Sequence, residues 1–183
     1  MKNLALLVIF SLLISCSTKK IHKEKMDFKF STAYNQFYIE DKECKGSTGS
    51  PYFWTEEAFK ERLALENGVI GVATQSYGNI KGEIEVLDKA PLTINYDKYD
   101  HVVEAGINLE SGEVQILDCP NSHLEAVLNV KPGTYRMRVY SSNLNSVKQP
   151  DTPNKTDNDY YRIEIWPSDE MERKVLKQYT NPL

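Results

Sequence analysis

A mainly β protein, folded as a single antiparallel β-sandwich with one short α-helix, is what this sequence predicts. Short alternating runs of apolar and polar residues recur along it, turn-forming residues separate them, and only one stretch carries helix punctuation. "FKFSTAYNQFYI" sets Phe28, Phe30, Thr32 and Tyr34 on one face and resumes with Phe37 and Ile39 on the other, which predicts a strand with a bulge near residues 34–36. "KGSTGSP" (residues 45–51) reads as a loop. "WTEEAFKERLALENG" predicts the helix: Thr55 caps it, Glu56 and Glu57 meet the positive end of its dipole, Phe59 and Leu63 form a seam, and Gly68 closes it.

The strands then follow quickly. "VIGVATQ" and "KGEIEVL" flank a turn at "YGN", while "DHVVEAGINL" and "EVQILDC" flank Ser111 and Gly112 as an apparent hairpin. "HLEAVLNV" reaches a "KPG" turn. "TYRMRVY" leaves it with Tyr135, Met137 and Val139 on one side and Arg136, Arg138 and Tyr140 on the other. Residues 141–159 form a long polar loop, and a loop of that length is functional or disordered. "YYRIEIW" turns Tyr161, Ile163 and Ile165 inward until Pro167 ends the strand; residues 169–179 fit either a short helix or an edge strand.

The chain begins with Lys2, an apolar run over residues 4–13, and the small residue Ser15 ahead of Cys16. That run is far short of the roughly 20 residues a membrane span needs, so residues 1–15 read as a signal peptide. "LISC" resembles the bacterial lipoprotein signal, which implies cleavage before Cys16 and its acylation as an anchor in the lipid bilayer. Buried acyl methylenes add roughly 0.8 kcal/mol each, so several chains hold firmly. Residues 16–26 are polar and mostly basic and read as a tether, leaving residues 27–183 as one domain. In lipoproteins of the Bacteroidota group, surface export resembles a signal of acidic residues just after the cysteine. Here Lys19 and Lys20 stand there, which favours a protein in the cell envelope facing the periplasm.

With 22 Lys and Arg against 26 Asp and Glu, the net charge is −4. That argues against direct nucleic-acid binding, which needs clustered cations, and suits a basic protein partner. A domain of about 150 residues buries about 70% of its unfolded surface, so it needs no disulfide to fold. Apart from Cys16, the cysteines are Cys44 and Cys119. In an oxidising compartment they could form a disulfide, or they could stand as two free thiols.

No metal-ligand spacing and no nucleophile, phosphate-loop or dinucleotide motif is present, so the chain is read as non-enzymatic, without metal or cofactor. His101 lies between Asp100 and Glu104, but strand parity points the acids away from it, which favours a core-edge role over catalysis. Glu83 and Glu85 share a face, as a solvated sheet surface or as an acidic patch for a basic partner. Tyr140, Tyr160 and Trp166 take outward positions, where they could mark an interface, form a glycan platform or pack beneath the long loop.

In order, "STAYNQFYI", "WTEEAF", "GVIGVAT" and "VKPGTYRMRVY" resemble the competence protein J family, small bacterial inhibitors of a DNA-entry nuclease. The resemblance spans residues 28–140 and implies a protein-binding inhibitor. The chain departs from that family in its lipoprotein signal and in the segment from Asn145 onward, and no nuclease-contacting motif transfers. "YDHVVEAGINL" and "DYYRIEIWP" also resemble a broader set of bacterial domains of unassigned activity. The expected function is an envelope lipoprotein that binds a protein, as an inhibitor or immunity protein against a nuclease or other toxin. The alternative is a module for a small ligand or glycan, built on Tyr160, Trp166 and the 141–159 loop.

Overall fold

The computed structural model describes residues 24–92, 95–120 and 123–180, so the signal segment and Cys16 lie outside the described residues. Two sheets pack face to face. The larger joins β1 (Lys25–Thr32), β5 (Gly78–Val86), β10 (Tyr160–Pro167), β9 (Gly133–Ser142), β6 (His101–Leu109) and β11 (Lys174–Lys177), in that order. The smaller joins β3 (Leu63–Glu66), β4 (Val69–Ala73), β2 (Gln36–Asp41), β7 (Glu113–Leu117) and β8 (Leu124–Asn129). Pairing is antiparallel apart from β5 with β10, which run parallel.

The period-2 pattern sets the core. Phe28, Phe30, Ile80, Ile84, Met137, Val139, Tyr161, Ile163 and Ile165 of the larger sheet face Phe37, Ile39, Ile70, Val72, Ile116 and Leu128 of the smaller one, all buried. Phe37 bridges the layers, its ring centroid 5.7 Å from Phe28 and 5.8 Å from Tyr161. Each such side chain contributes about 1.5–3 kcal/mol through removal from water.

Several local expectations change. In place of the bulge near residues 34–36, Tyr34 and Asn35 form a turn between sheets that ends where β2 begins at Gln36, each with a left-handed φ of 54°. The helix α1 covers only Glu56–Lys60. Thr55 caps it as expected, accepting from the Ala58 N–H at 3.1 Å, but Arg62 turns left-handed at φ 59° and ends the helical path. Leu63 then enters β3, which Asn67 and Gly68 join to β4 as a tight hairpin, Gly68 having φ 78°. Phe59 therefore makes no seam with Leu63 and stacks on Trp54, with centroids 4.9 Å apart.

The apparent hairpin at Ser111 and Gly112 is a crossover, since β6 belongs to the larger sheet and β7 to the smaller. The buried Asp41 carboxylate holds that corner by accepting the Ser111 N–H at 3.1 Å. Residues 174–177 resolve the open alternative as an edge strand on β6.

Candidate functional site

The outward residues of the larger sheet mostly satisfy one another. The Arg162 guanidinium lies 3.1 Å from Glu83, 3.4 Å from Glu85 and 2.7 Å from Glu164. Lys25 adds a contact to Glu83 at 2.8 Å, and the Tyr160 hydroxyl donates to Glu83 at 3.1 Å. Burial raises the Glu83 pKa, but Lys25, Tyr160 and Arg162 outweigh it and hold the carboxyl below its ordinary range. On the neighbouring strands, Glu104 accepts from Arg136 at 3.1 Å and Arg138 at 2.7 Å, while Tyr140 donates to Glu164.

Tyr140 and Trp166 hold the predicted parity but are 2% and 4% exposed. The Tyr99 ring packs 4.6 Å from Tyr140, and the Arg138 guanidinium lies 4.9 Å from the Trp166 centroid. The backbone of residues 170–172 crosses the same face, accepting from Arg136 at 3.0 and 2.6 Å. Gly106 lets it approach, because a Cβ there would stand 2.5 Å from Met171 Cα. These aromatics are covered by the protein itself, so they form no open platform.

Cys44 and Cys119 are free thiols. The buried Cys119 sulfur lies 3.1 Å from Gln36 Nε2 and 3.3 Å from the Tyr38 hydroxyl. His101 is fully buried. Its Nδ1 accepts the Tyr179 N–H at 3.2 Å, which leaves Nε2–H to donate to the Glu61 carbonyl at 3.0 Å. It thus ties the end of α1 to the C-terminal segment. Burial lowers its pKa to about 4.

That clamp helps shape a cavity of about 490 Å³ at one end of the sandwich. Asn35 reaches it from the β1–β2 turn, Phe59, Lys60 and Arg62 from the end of α1, Gln75 from beyond β4, Pro150 from the long loop, and Gln178 and Tyr179 from beyond β11. The Asn35 amide donates to the carbonyls of Gln75 at 3.2 Å and Pro150 at 2.9 Å. Asp159 fixes the adjoining turn by accepting from the N–H of Ser76 at 3.0 Å and its hydroxyl at 2.9 Å. The Arg62 guanidinium donates to the Ala73 carbonyl at 3.3 Å and sits 6.0 Å from the Tyr179 centroid.

Three of the left-handed non-glycine residues, Tyr34, Asn35 and Arg62, line or adjoin this cavity. Such conformations cost on the order of 1–3 kcal/mol each and persist where surrounding contacts enforce them. Phe59 in the lining is 57% exposed, and Tyr34, the chain neighbour of Asn35, is 65% exposed. Sequence reading missed this site because it placed Arg62 inside a helix. The Asn67–Gly68 pair was the signal that could have shown a hairpin there.

The described residues thus form a single-domain β-sandwich with one open, strain-held end. ComJ of Bacillus subtilis, an inhibitor of the DNA-degrading activity of NucA, is similar in structure, with a TM-score of 0.59 at 18% identity over 80% of this chain and 98% of ComJ. The crocagin biosynthetic gene J protein is similar with a TM-score of 0.50 at 18% identity, over 79% of this chain and 97% of its own. At that identity the likeness is one of fold. No protein-family model and no curated protein matches the chain.

Proposed function

We propose that this chain is a non-enzymatic, lipid-anchored envelope protein that faces the periplasm and binds another protein as its inhibitor. A nuclease or other toxin is the target class. The observation that carries this reading is the ComJ-like fold, since ComJ inhibits a nuclease. The docking surface is the open end of the sandwich, where Tyr34 and Phe59 stand exposed at or next to the cavity lining while the outward side chains of the larger sheet are mostly engaged with one another. Anchoring rests on the "LISC" box and on Cys16. The burial of Trp166 weighs against a glycan platform.

The test is photocrosslinking from position 178, in the cavity lining, in cells that make the full chain, followed by assay of the adduct protein. Wild type is expected in the membrane fraction with a stoichiometric adduct, and Cys16→Ser outside that fraction. Tyr34→Ser with Phe59→Ser should abolish the adduct. The purified chain should suppress the captured protein's activity. Absence of any adduct, or an adduct whose activity is unaffected, overturns the reading.

A further inference from the structure

The cavity beside α1 has a charge pattern unlike the rest of the protein. Arg136, Arg138, Arg162 and Arg173 each form an ion pair, with Glu104, Glu104, Glu164 and Glu57 among their partners. Arg62 forms none among the described residues, and its Nε, like that of Arg136, is buried without a hydrogen-bond acceptor. Lys60 is a second cation in the lining, and none of the lining residues is acidic. In a chain with net charge −4, this cavity is therefore cationic.

From this we infer that the pocket receives an acidic side chain of the bound protein, with Arg62 as its main partner. The inference rests on the protein-binding reading above and names the chemistry of the docking contact. A guanidinium offers several N–H donors in a fixed plane, the geometry that pairs two-pronged with a carboxylate. Arg62 has committed one nitrogen to the Ala73 carbonyl, and its plane is steadied by the Tyr179 ring. Its left-handed backbone, φ 59°, places it at the cavity and off the path of α1.

Phe59, Pro150 and Tyr179 supply apolar walls for the methylenes that carry an acidic group. The cavity volume of about 490 Å³ exceeds a lone carboxylate, so the entering group brings further atoms with it. A free organic acid would also leave Tyr34 and Phe59 in water, at 65% and 57% exposure, whereas a protein would cover them.

The test uses the isotope-labelled full chain and two capped peptides, acetyl-Phe-Glu-amide and its glutamine twin, with glutarate as a third probe. The glutamate peptide should bind at least tenfold more tightly than the glutamine peptide and shift the Arg62 side-chain N–H and the Phe59 and Tyr179 signals. Arg62→Gln should erase the tenfold preference, Arg62→Lys should keep part of it, and Lys60→Gln should reduce it about threefold. Where Arg62→Gln has lost its fold by thermal melting, the Lys60→Gln result and the wild-type peptide comparison decide. Equal binding of the two peptides overturns the inference. Glutarate binding as tightly as the glutamate peptide also overturns it, by assigning the pocket to a free acid. If Arg62→Gln keeps the crosslinked adduct that Tyr34→Ser with Phe59→Ser loses, the acidic contact fails while protein binding stands.

Discussion

His101 is the residue whose environment departs furthest from its surroundings in sequence. Flanked by Asp100 and near Glu104, it touches neither; it is buried neutral between the Glu61 carbonyl and the Tyr179 N–H. Its folded pKa of about 4 lies below the ordinary value near 6.5, so the unfolded chain takes up its proton first as pH falls. The stabilisation is whole above about pH 6.5 and is lost as pH drops toward 4, by about 3 kcal/mol. Urea unfolding at pH 7.5 and 4.5 should show this loss in wild type and a much smaller pH dependence in His101→Gln. Facing was legible at this scale: Tyr161, Ile163 and Ile165 are inward as their alternation implies. Exposure was not, because Tyr140 and Trp166 are covered by Tyr99, Arg138 and the 170–172 backbone, which parity cannot anticipate.

At the scale of elements, Glu104 on β6 and Arg138 on β9 are direct cross-strand partners, and Glu104 also neutralises Arg136. All three are buried, so Glu104→Ala leaves two guanidiniums without their counter-charge and should destabilise by about 3–5 kcal/mol, read from the denaturant midpoint. The exposed pair Lys45–Glu110 has water as an alternative partner, so Lys45→Ala should leave that midpoint unchanged. Element types were mostly readable. The start of α1 was set by local chemistry, the Thr55 cap and two glutamates. Its end was not, because "RLALENGVIGVA" satisfies a helical seam on paper while Leu63–Glu66 gains more by pairing with β4.

For the whole molecule, the layer arrangement places Cys44 in a loop and Cys119 in a buried niche against Tyr38 and Gln36. Burial, aided by Cys119, raises the Tyr38 phenol above its ordinary pKa, so that hydroxyl is neutral and free to share a hydrogen bond. Unfolding midpoints of the purified domain should coincide with and without reductant, since no bridge constrains the unfolded chain. A reductant-dependent drop would signal a disulfide.

The sequence by itself determined a mainly β single domain, the inward and outward face of most strands and the helix cap, because these follow from period-2 patterning and local turn chemistry. Only the tertiary structure decided which neighbouring strands share a sheet: a tight turn such as Ser111–Gly112 looks the same within a sheet and between two. It alone also assembled Asn35, Arg62, Gln75, Pro150 and Tyr179 at one end of the sandwich. Those residues are far apart in the chain, and what joins them is long-range pairing and the His101 clamp, which leave no local periodic trace.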